Sequence, residues 1–147
     1  MHKSAFGFER PEDSPGLLLW QTTITWQRLI KDALNEYDIS HPQFVILAIL
    51  LWFTEHSEDP NQLAIIRLSK LDKMTVSQSL KKLAAQHLVA RFEHQADTRA
   101  KSVQLTVKGQ TLAKKLVSVV EKIDAQFFGK LSQADGESLV RVLGALN

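Results

Sequence analysis

The chain has 147 residues, of which 44% are hydrophobic, and this is enough to form one compact domain with a buried core. It contains no cysteine, which excludes disulfide bonds, thiolate metal sites and redox sensing by thiols. The net charge of +2 indicates no particular partner, and the longest apolar run, residues 44–53, is too short to span a bilayer. Residues 1–10 are polar and do not form a secretory signal, so the sequence predicts a cytoplasmic protein with no membrane partner.

The N-terminal region is predicted to hold a short arm followed by a long helix. Residues 1–13 are polar and contain Pro11, so we expect a flexible arm ahead of a single domain over residues 14–147. A helix over about residues 14–37 starts at the sequence Ser14-Pro15-Gly16. It carries more apolar residues than one buried stripe requires, which predicts that it contacts two different surfaces.

Two further helices follow, each with a recognisable start. Ser40 and Gln43 have the spacing of a capping box, with a proline in the first turn, and they begin a helix that runs to about Glu55. This helix is apolar nearly all round, so it is predicted to lie at the centre of the domain. Asn61 then caps a short helix that ends near Lys70 and forms a helix-turn-helix with the segment after it.

The next segment has the features of a helix that reads DNA. Asp72 is suited to the N-cap, because its carboxylate can accept from unpaired amides of the first turn. Apolar residues at helical spacing predict a buried stripe: Val76, Leu80, Leu83 and Ala84. The opposite side carries Met74 together with side chains that can pair with base edges: Ser77, Gln78 and Lys81. Lys73 and Thr75 lie in the first turn, where the helix dipole also favours a phosphate.

Two strands joined by a loop are predicted directly after this helix. Residues 88–93 and 102–106 alternate apolar and polar side chains, as half-buried strands do. The loop between them, over residues 95–101, is predicted to expose two cations at its tip, Arg99 and Lys101. A recognition helix followed by a two-stranded wing is the arrangement of a winged helix, in which the helix lies in the major groove of DNA.

The two helices that close the chain are predicted to pair with a second copy. Thr106 caps a long helix with a long apolar stripe, and Ser132 begins a last helix that is also apolar along one side. The winged helix, over about residues 61–107, is too small to cover these stripes, and their exposure to water is unfavourable. We therefore predict a homodimer built from the helices over about residues 14–37 and 107–147.

Basic charge is concentrated in the predicted DNA-reading region. Residues 62–108 hold nine lysines and arginines and three acids, a net charge of +6, whereas the rest of the chain has a net charge of −4. A surface that faces phosphate has this charge distribution, because counterion release supplies most of the sequence-independent affinity. Arg91 and Lys101 lie on or beside the strands, where we expect contact with phosphate rather than with base edges. The predicted function is therefore binding of double-stranded DNA.

Three stretches of the sequence form a further pattern: Asp72-Lys73-Met74-Thr75-Val76-Ser77, Asp97-Thr98-Arg99-Ala100-Lys101 and Leu105-Thr106-Val107-Lys108-Gly109. Together they resemble the recognition helix, the wing and the start of the long helix in the MarR family of bacterial winged-helix regulators. The resemblance covers the chain from Ser14 onward, and the wing motif is its more specific part. One departure is His87, because family members commonly place glycine just after the recognition helix; histidine tolerates a positive φ better than most residues.

The resemblance implies a dimeric transcription factor, usually a repressor, that is released from DNA by a small and often aromatic ligand. Two-fold symmetry then predicts a palindromic operator, with the two recognition helices about 34–36 Å apart. The resemblance also implies that Arg99 enters the minor groove, and that Asp97 helps to hold the wing loop or this arginine. A physical argument agrees, because a narrow minor groove concentrates negative potential and attracts a guanidinium.

Aromatic residues on the first two helices indicate where such a ligand could bind. The candidates are the aromatic and polar residues of these helices and their junction: Trp20, Trp26, Arg28, His41, Phe44 and Trp52. Arg28 or His41 would supply a polar contact to a small aromatic anion. Aromatic residues at helical spacing also pack in cores, and the sequence alone leaves that alternative open.

Two other classes of function compete with DNA reading. The lobe could be a protein-interaction module whose basic face binds an acidic partner, but the short polar side chains of Ser77 and Gln78 favour base reading over docking of that kind. An enzyme built on a helical scaffold would need catalytic residues, and no nucleotide-binding, P-loop or nucleophile-elbow motif occurs in the sequence. The five histidines show no metal-ligand spacing, so neither a metal nor a cofactor is predicted.

Overall fold

The computed structural model describes the backbone of residues 3–94 and 97–147 and the side chains of residues 3–92 and 102–147. Within these residues the fold is mostly helical with one small antiparallel sheet, which confirms the predicted fold class. A short 3-10 helix, Pro11–Asp13, leads into the main elements: α1 (Pro15–Asn35), α2 (His41–Glu55), α3 (Gln62–Ser69), α4 (Lys73–Ala85), β1 (Val89–His94), β2 (Asp97–Leu105), α5 (Val107–Phe128) and α6 (Gln133–Leu146).

Each of the six α-helices begins at a residue whose side chain accepts a hydrogen bond from the first turn. The capping residues are Ser14, Ser40, Asn61, Asp72, Thr106 and Ser132. At α2 the bonds are reciprocal, because the backbone N–H of Gln43 donates to Ser40 Oγ (3.2 Å) and the backbone N–H of Ser40 donates to Gln43 Oε1 (2.9 Å). These caps satisfy amides that have no partner inside the helix, and they confirm the predicted helix starts to within one residue.

The wing differs from its predicted form in the extent of the second strand. β1 and β2 pair antiparallel, with Glu93 opposite Lys101, and the register shifts after Glu93. The prediction of a loop over residues 95–101 is wrong from Asp97 onward, because β2 begins there. Backbone pairing between strands extends beyond the apolar alternation from which the strand was predicted. Arg99 therefore lies within a strand and not in a loop.

The core lies around α2, which contacts α1, α3, α4, α5 and β2. This explains why α2 is apolar nearly all round, since helices or strands cover it on several sides. Its buried apolar residues are Phe44, Ile46, Leu47, Leu50 and Leu51. Full burial of one such side chain stabilises the fold by roughly 1.5–3 kcal/mol relative to exposure.

The terminal helices leave much apolar surface uncovered. α5 packs on α1 and α2, and the Trp26 indole N–H of α1 donates to Asp124 Oδ1 of α5 (2.8 Å). In α6, by contrast, no residue is buried, and Val140 and Leu146 are 73% and 74% exposed. The N-terminal half of α1 is exposed as well, including Trp20. The helices that the sequence analysis assigned to dimerisation thus carry apolar side chains that the rest of the described chain does not cover.

The predicted N-terminal arm is described from residue 3 onward, and residues 3–13 are exposed throughout. The rings of Phe6 and Phe8 lie 5.6 Å apart in this segment. The flexibility of the arm and the division of the chain at residue 13 stay predictions. Over the described residues, none of the helices combines the length and the apolarity needed to cross a membrane.

Candidate nucleic-acid interface

α4 presents one face to the core and the other to solvent. The predicted stripe is confirmed, because its members are buried or half-buried: Val76, Leu80, Leu83 and Ala84. On the opposite side Gln78 and Lys81 are exposed and Ser77 is half-buried. Met74 lies on this side too and is 69% exposed. The solvent face of α4 therefore offers hydrogen-bonding groups for base edges and one apolar group that can contact a thymine methyl.

The first turn of α4 is held by Asp72. Its carboxylate accepts from the backbone N–H of Thr75 (2.7 Å) and from the Thr75 hydroxyl (2.8 Å). The backbone bond, followed by the hydroxyl bond, holds the pKa of Asp72 below its usual value. Because the Thr75 hydroxyl donates a hydrogen bond to Asp72, Thr75 stabilises the start of the helix. Contact between Thr75 and DNA stays a prediction. Lys73, beside the cap, is exposed.

The wing follows α4 after a short turn and holds the other predicted DNA contacts. Arg91 lies on β1 and is exposed. The backbone of residues 97–101 belongs to β2, whereas the side chains of Asp97, Arg99 and Lys101 lie outside the described residues. Minor-groove binding by Arg99, phosphate contact by Lys101 and support by Asp97 therefore stay predictions.

The described basic side chains of the lobe form no ion pair with the acids whose side chains the structure describes. Among the described side chains the single ion pair joins Arg10 to Asp13 (3.4 Å), far from the lobe in sequence. The exposed lysines and arginines of the lobe that the structure describes are Arg67, Lys70, Lys73, Lys81, Lys82, Arg91 and Lys108. An unpaired surface cation remains available to replace counterions on phosphate, which is the main source of sequence-independent affinity for DNA.

α4 is followed by a residue in the left-handed backbone conformation, which histidine tolerates better than most residues. His87 has a φ of 62°, so the position that is commonly glycine in the MarR family does require positive φ here. The backbone N–H of Leu88 donates to the carbonyl of Leu83 (2.9 Å), and that of His87 donates to the carbonyl of Ala84 (3.0 Å). These two bonds close the helix end and direct the chain into β1.

The Leu-Thr-x-x-Gly motif joins the end of α4 to the start of α5. Thr106 caps α5 by accepting from the backbone N–H of Gly109 (3.0 Å), and its hydroxyl donates to the carbonyl of His87 (2.6 Å). A Cβ atom at Gly109 would lie 1.9 Å from the carbonyl oxygen of Leu88, so a side chain there forces the backbone to move. The motif thus attaches the recognition helix to a helix predicted to dimerise.

Three of the six candidate ligand residues lie together. Trp26 and His41 meet edge to face with ring centroids 5.3 Å apart, and His41 and Phe44 are 6.5 Å apart. Burial lowers the pKa of His41, and the negative charge of Asp124 opposes that shift. Phe44 is buried and the Trp26 indole is bonded to Asp124, so these two aromatic residues serve packing in the described chain.

The other three candidates lie apart from this cluster. Trp20 is 66% exposed in the first half of α1, and Arg28 is exposed further along the same helix. Trp52 stacks on His56, with ring centroids 3.9 Å apart, and lines a separate apolar groove with Leu68. A single pocket that contains all six residues is therefore not formed within the described chain.

A cleft of about 600 Å³ opens between the end of α1, the start of α2 and the end of α4. Its polar lining includes Lys31, Asp38, His41, Gln43, Lys82 and Gln86. His41 is the one candidate ligand residue on this lining. Among the residues that the structure describes, no cluster of three or more histidine, aspartate or glutamate side chains could hold a metal ion.

Sequence reasoning missed several residues of this region. Neither Met74 nor Lys82 is among the predicted DNA contacts, although both are exposed on α4. Their position on the same helix as the predicted DNA contacts is a signal that the sequence already contains. Gln86 was also missed, because its partners lie 43 and 48 residues away and leave no local pattern.

The chain is similar to known transcriptional regulators in both sequence and fold. The ArnR1-like winged-helix domain model matches residues 35–123. The uncharacterized HTH-type transcriptional regulator YdcH of Bacillus subtilis is 36% identical over 121 residues, which cover 82% of each chain.

Two solved structures have the same fold. BpsR of Bordetella bronchiseptica, whose DNA binding is regulated by 6-hydroxynicotinic acid, has a TM-score of 0.83 at 24% identity, covering 95% of this chain and 97% of BpsR. MepR of Staphylococcus aureus in complex with DNA has a TM-score of 0.80 at 22% identity, covering 90% of this chain and 96% of MepR. From the domain model, the related regulator and the fold, the chain belongs to the MarR family of winged helix-turn-helix transcriptional regulators.

Proposed function

We propose that this protein is a cytoplasmic, sequence-specific regulator that binds double-stranded DNA as a homodimer and acts as a repressor. The observation that carries the proposal is the exposed polar face of α4 beside cations that no described acid neutralises. A helix with these groups on one face and a buried stripe on the other matches what major-groove reading requires.

The roles of individual residues follow from their place on α4 and the wing. Ser77, Gln78 and Lys81 contact base edges, since they occupy the solvent face of α4. Lys73, Arg91 and Lys101 bind phosphate and fix the position of the lobe on the duplex. Arg99 enters the minor groove beside the wing, supported by Asp97.

A second copy of the chain would cover the exposed apolar surface of α1 and α6. Val140, Leu146 and Trp20 are each more than 60% exposed in the single chain, and their burial in a dimer would be favourable. A symmetric dimer presents two copies of α4 to one face of the duplex, so the operator would be a palindrome.

A small effector, of the often aromatic kind that the family resemblance implies, would release the dimer from DNA. The cleft beside His41 lies between α1 and the end of α4, where an added molecule would alter the position of the reading helix. The similar protein BpsR is regulated in this way, because its DNA binding responds to 6-hydroxynicotinic acid. The polar lining of the cleft would suit a ligand that carries both a charge and hydrogen-bonding groups.

The test is fluorescence-anisotropy titration of the DNA just upstream of this protein's own coding region. Wild type and Arg99→Ala are measured at two salt concentrations, with random duplex as competitor. We expect tight binding that resists the competitor, weakens with salt and weakens further in the variant. Gln78→Ala should lose about 1–3 kcal/mol on the specific duplex alone, whereas Lys101→Ala should weaken binding to all sequences alike.

Two outcomes would argue against the proposal. Equal weak binding to both duplexes would contradict recognition of this upstream region, and a genome-wide selection of bound fragments would then show whether any sequence is preferred. No binding at low salt would favour the alternative of a protein-interaction module that has no specific DNA reading.

A further inference from the structure

The C-terminal end of α4 lies between two open clefts. The cleft of about 600 Å³ lies on one side, and a second cleft of about 390 Å³ lies on the other; Ala85 and Gln86 line both. α1 and α4 share little packing surface. The position of α4 relative to α1 is therefore set through α2, on which both helices pack, and by the hydrogen bonds that cross the gap.

The side chain of Gln86 makes those hydrogen bonds. Its Oε1 accepts from Gln43 Nε2 (3.2 Å), and its Nε2 donates to the backbone carbonyl of Asp38 in the turn after α1 (3.4 Å). Gln43 is only 5% exposed, and its own Oε1 is held by Ser40 in the capping box of α2. The amide of Gln86 thus meets the side chain of Gln43, which is already held in the capping box, and the backbone of the turn after α1. We refer to Asp38, Gln43 and Gln86 as the Gln86 bracket.

The backbone at the same helix end is attached to α5. The carbonyl of Gln86 accepts from Lys108 Nζ (3.2 Å), and the carbonyl of His87 accepts from the Thr106 hydroxyl (2.6 Å). The end of α4 is therefore held on one side by the turn between α1 and α2 and on the other by the start of α5. The attachments thus lead to α1 and α5, which lie in the segments predicted from the sequence to form the dimer.

We propose that Gln86 is a positioning residue for DNA reading, which transmits the geometry of the dimer helices to the recognition helix through the Gln86 bracket. This inference rests on the proposed function. Gln78 and Lys81 lie on α4 between this end and the first turn, so a pivot at Gln86 would displace both of them together. Base-edge recognition tolerates displacements of only about 0.5 Å, so a loose helix end would lower specific affinity.

The first experiment measures the placement of α4 without DNA. Because the chain has no cysteine, Lys81→Cys can carry a single spin label per protomer. Pulsed electron paramagnetic resonance then gives the distance between the labels on the two recognition helices. Gln86→Met keeps the length of the side chain and removes both hydrogen bonds of the bracket. We expect a distribution of distances that is broader or shifted relative to the protein with Gln86.

The matched control is Gln104→Met. Gln104 donates from Nε2 to Asp59 Oδ1 (3.1 Å), away from the turn between α1 and α2, so this variant also loses a glutamine hydrogen bond. The distance distribution of the labelled Gln104→Met protein should match that of the labelled protein that keeps Gln104. Melting temperatures of all variants are measured in parallel. A general loss of stability would lower the melting temperature of both glutamine variants, whereas a positioning role predicts a changed distance distribution in Gln86→Met alone.

The second experiment measures DNA affinity in the unlabelled protein. We expect Gln86→Met to bind its specific duplex about tenfold more weakly, the size of effect from loss of one or two hydrogen bonds, with little change on random duplex. Insertion of one base pair between the half-sites should cost the variant less than it costs the wild type. Gln43→Met combined with Gln86→Met should weaken binding no more than the stronger single variant, because both act through one bracket.

Unchanged distance distributions in Gln86→Met, or equal losses on specific and random duplex, would overturn the positioning role while leaving the proposed function intact. A labelled Lys81→Cys protein with Gln86 intact that gave no distance between protomers, or a wild-type protein that showed no preference among duplexes, would overturn the proposed function itself and the bracket with it.

Discussion

The recognition helix α4 of the DNA-reading lobe and the C-terminal helix α6 use apolar residues in opposite ways. In the lobe, Leu80 and Val103 are fully buried, and the solvent face of α4 is mainly polar. In α6 no residue is buried, and Val140 and Leu146 lie in solvent. The buried stripe of α4 is therefore covered within one chain, whereas the apolar side chains of α6 are not.

This difference indicates which part of the molecule depends on a partner. A lobe whose stripe is already buried gains little apolar contact from a second copy, whereas the helices at the two ends gain much. DNA reading and dimerisation should therefore respond to different substitutions. Each of the following predictions tests that separation, beginning with the largest expected effect.

Leu80→Ala should destabilise the fold by about 2–5 kcal/mol, because it removes buried methyl groups and leaves a cavity beneath the recognition helix. The free energy of unfolding is measured by denaturant titration at one fixed protein concentration. Met74→Ala is the control on the same helix; Met74 is 69% exposed, so its loss should change stability by less than about 0.5 kcal/mol. Similar losses of unfolding free energy in both variants would contradict the assignment of Leu80 to the buried face and Met74 to the solvent face of α4.

Val140→Asp should raise the dissociation constant of the dimer on the order of 100-fold, because a carboxylate would be buried at the interface without a partner. Light scattering over a dilution series measures the dimer, and circular dichroism checks that the lobe remains folded. Ser138→Asp adds the same charge to α6 two residues away, on a different side of the helix, and should leave the dimer intact. A dimer unaffected by Val140→Asp would place the interface elsewhere.

Two glycines should respond to alanine with opposite signs. Gly109→Ala should destabilise the fold by about 1–3 kcal/mol, since its Cβ would lie 1.9 Å from the Leu88 carbonyl oxygen. At Gly144 in α6 a Cβ meets open space, so Gly144→Ala should stabilise the helix by up to about 1 kcal/mol. Thermal unfolding of both variants gives the comparison. Loss of stability in both would mean that the partner copy packs closely against Gly144.

Acidification should reveal a small contribution from His41, which lies between the two regions. Its pKa is lowered in the folded protein by burial, so folding favours the neutral ring. The associated stability is fully present above the ordinary value of 6.5 and is lost as pH falls through the lower folded pKa. Asp124→Asn should lower the pKa of His41 further and extend the loss of stability to lower pH, because it removes the opposing charge. A pH titration of the ring by nuclear magnetic resonance measures both proteins.

Much of the fold could be predicted because it depends on local chemistry. Ser40, Asp72 and Thr106 each begin a helix as their spacing predicted, because a capping bond joins residues only three apart. The buried stripe of α4 could be predicted from helical periodicity. Positive φ at His87 followed from the resemblance, and the left-handed residue closes the helix in the same way that glycine would.

The parts of the site that the sequence could not arrange in space depend on contacts between distant segments. The six candidate ligand residues divide into separate places because Trp26 pairs with Asp124, 98 residues away, whereas Trp52 lines a groove with Leu68 of α3. The second strand extends to Asp97 because pairing with β1 determines its length. Each outcome depends on which surfaces meet, and periodicity carries no such information.

The sequence by itself determined the order of the elements, the capped helix starts, the two faces of α4 and the basic charge of the lobe, because these properties arise from residues within a few positions of one another. Only the tertiary structure decided how the end of α4 is attached to the rest of the molecule. Gln86 reaches Gln43 and Asp38 because folding brings the ends of three helices together, and Gly109 is required because α5 passes directly over the Leu88 carbonyl.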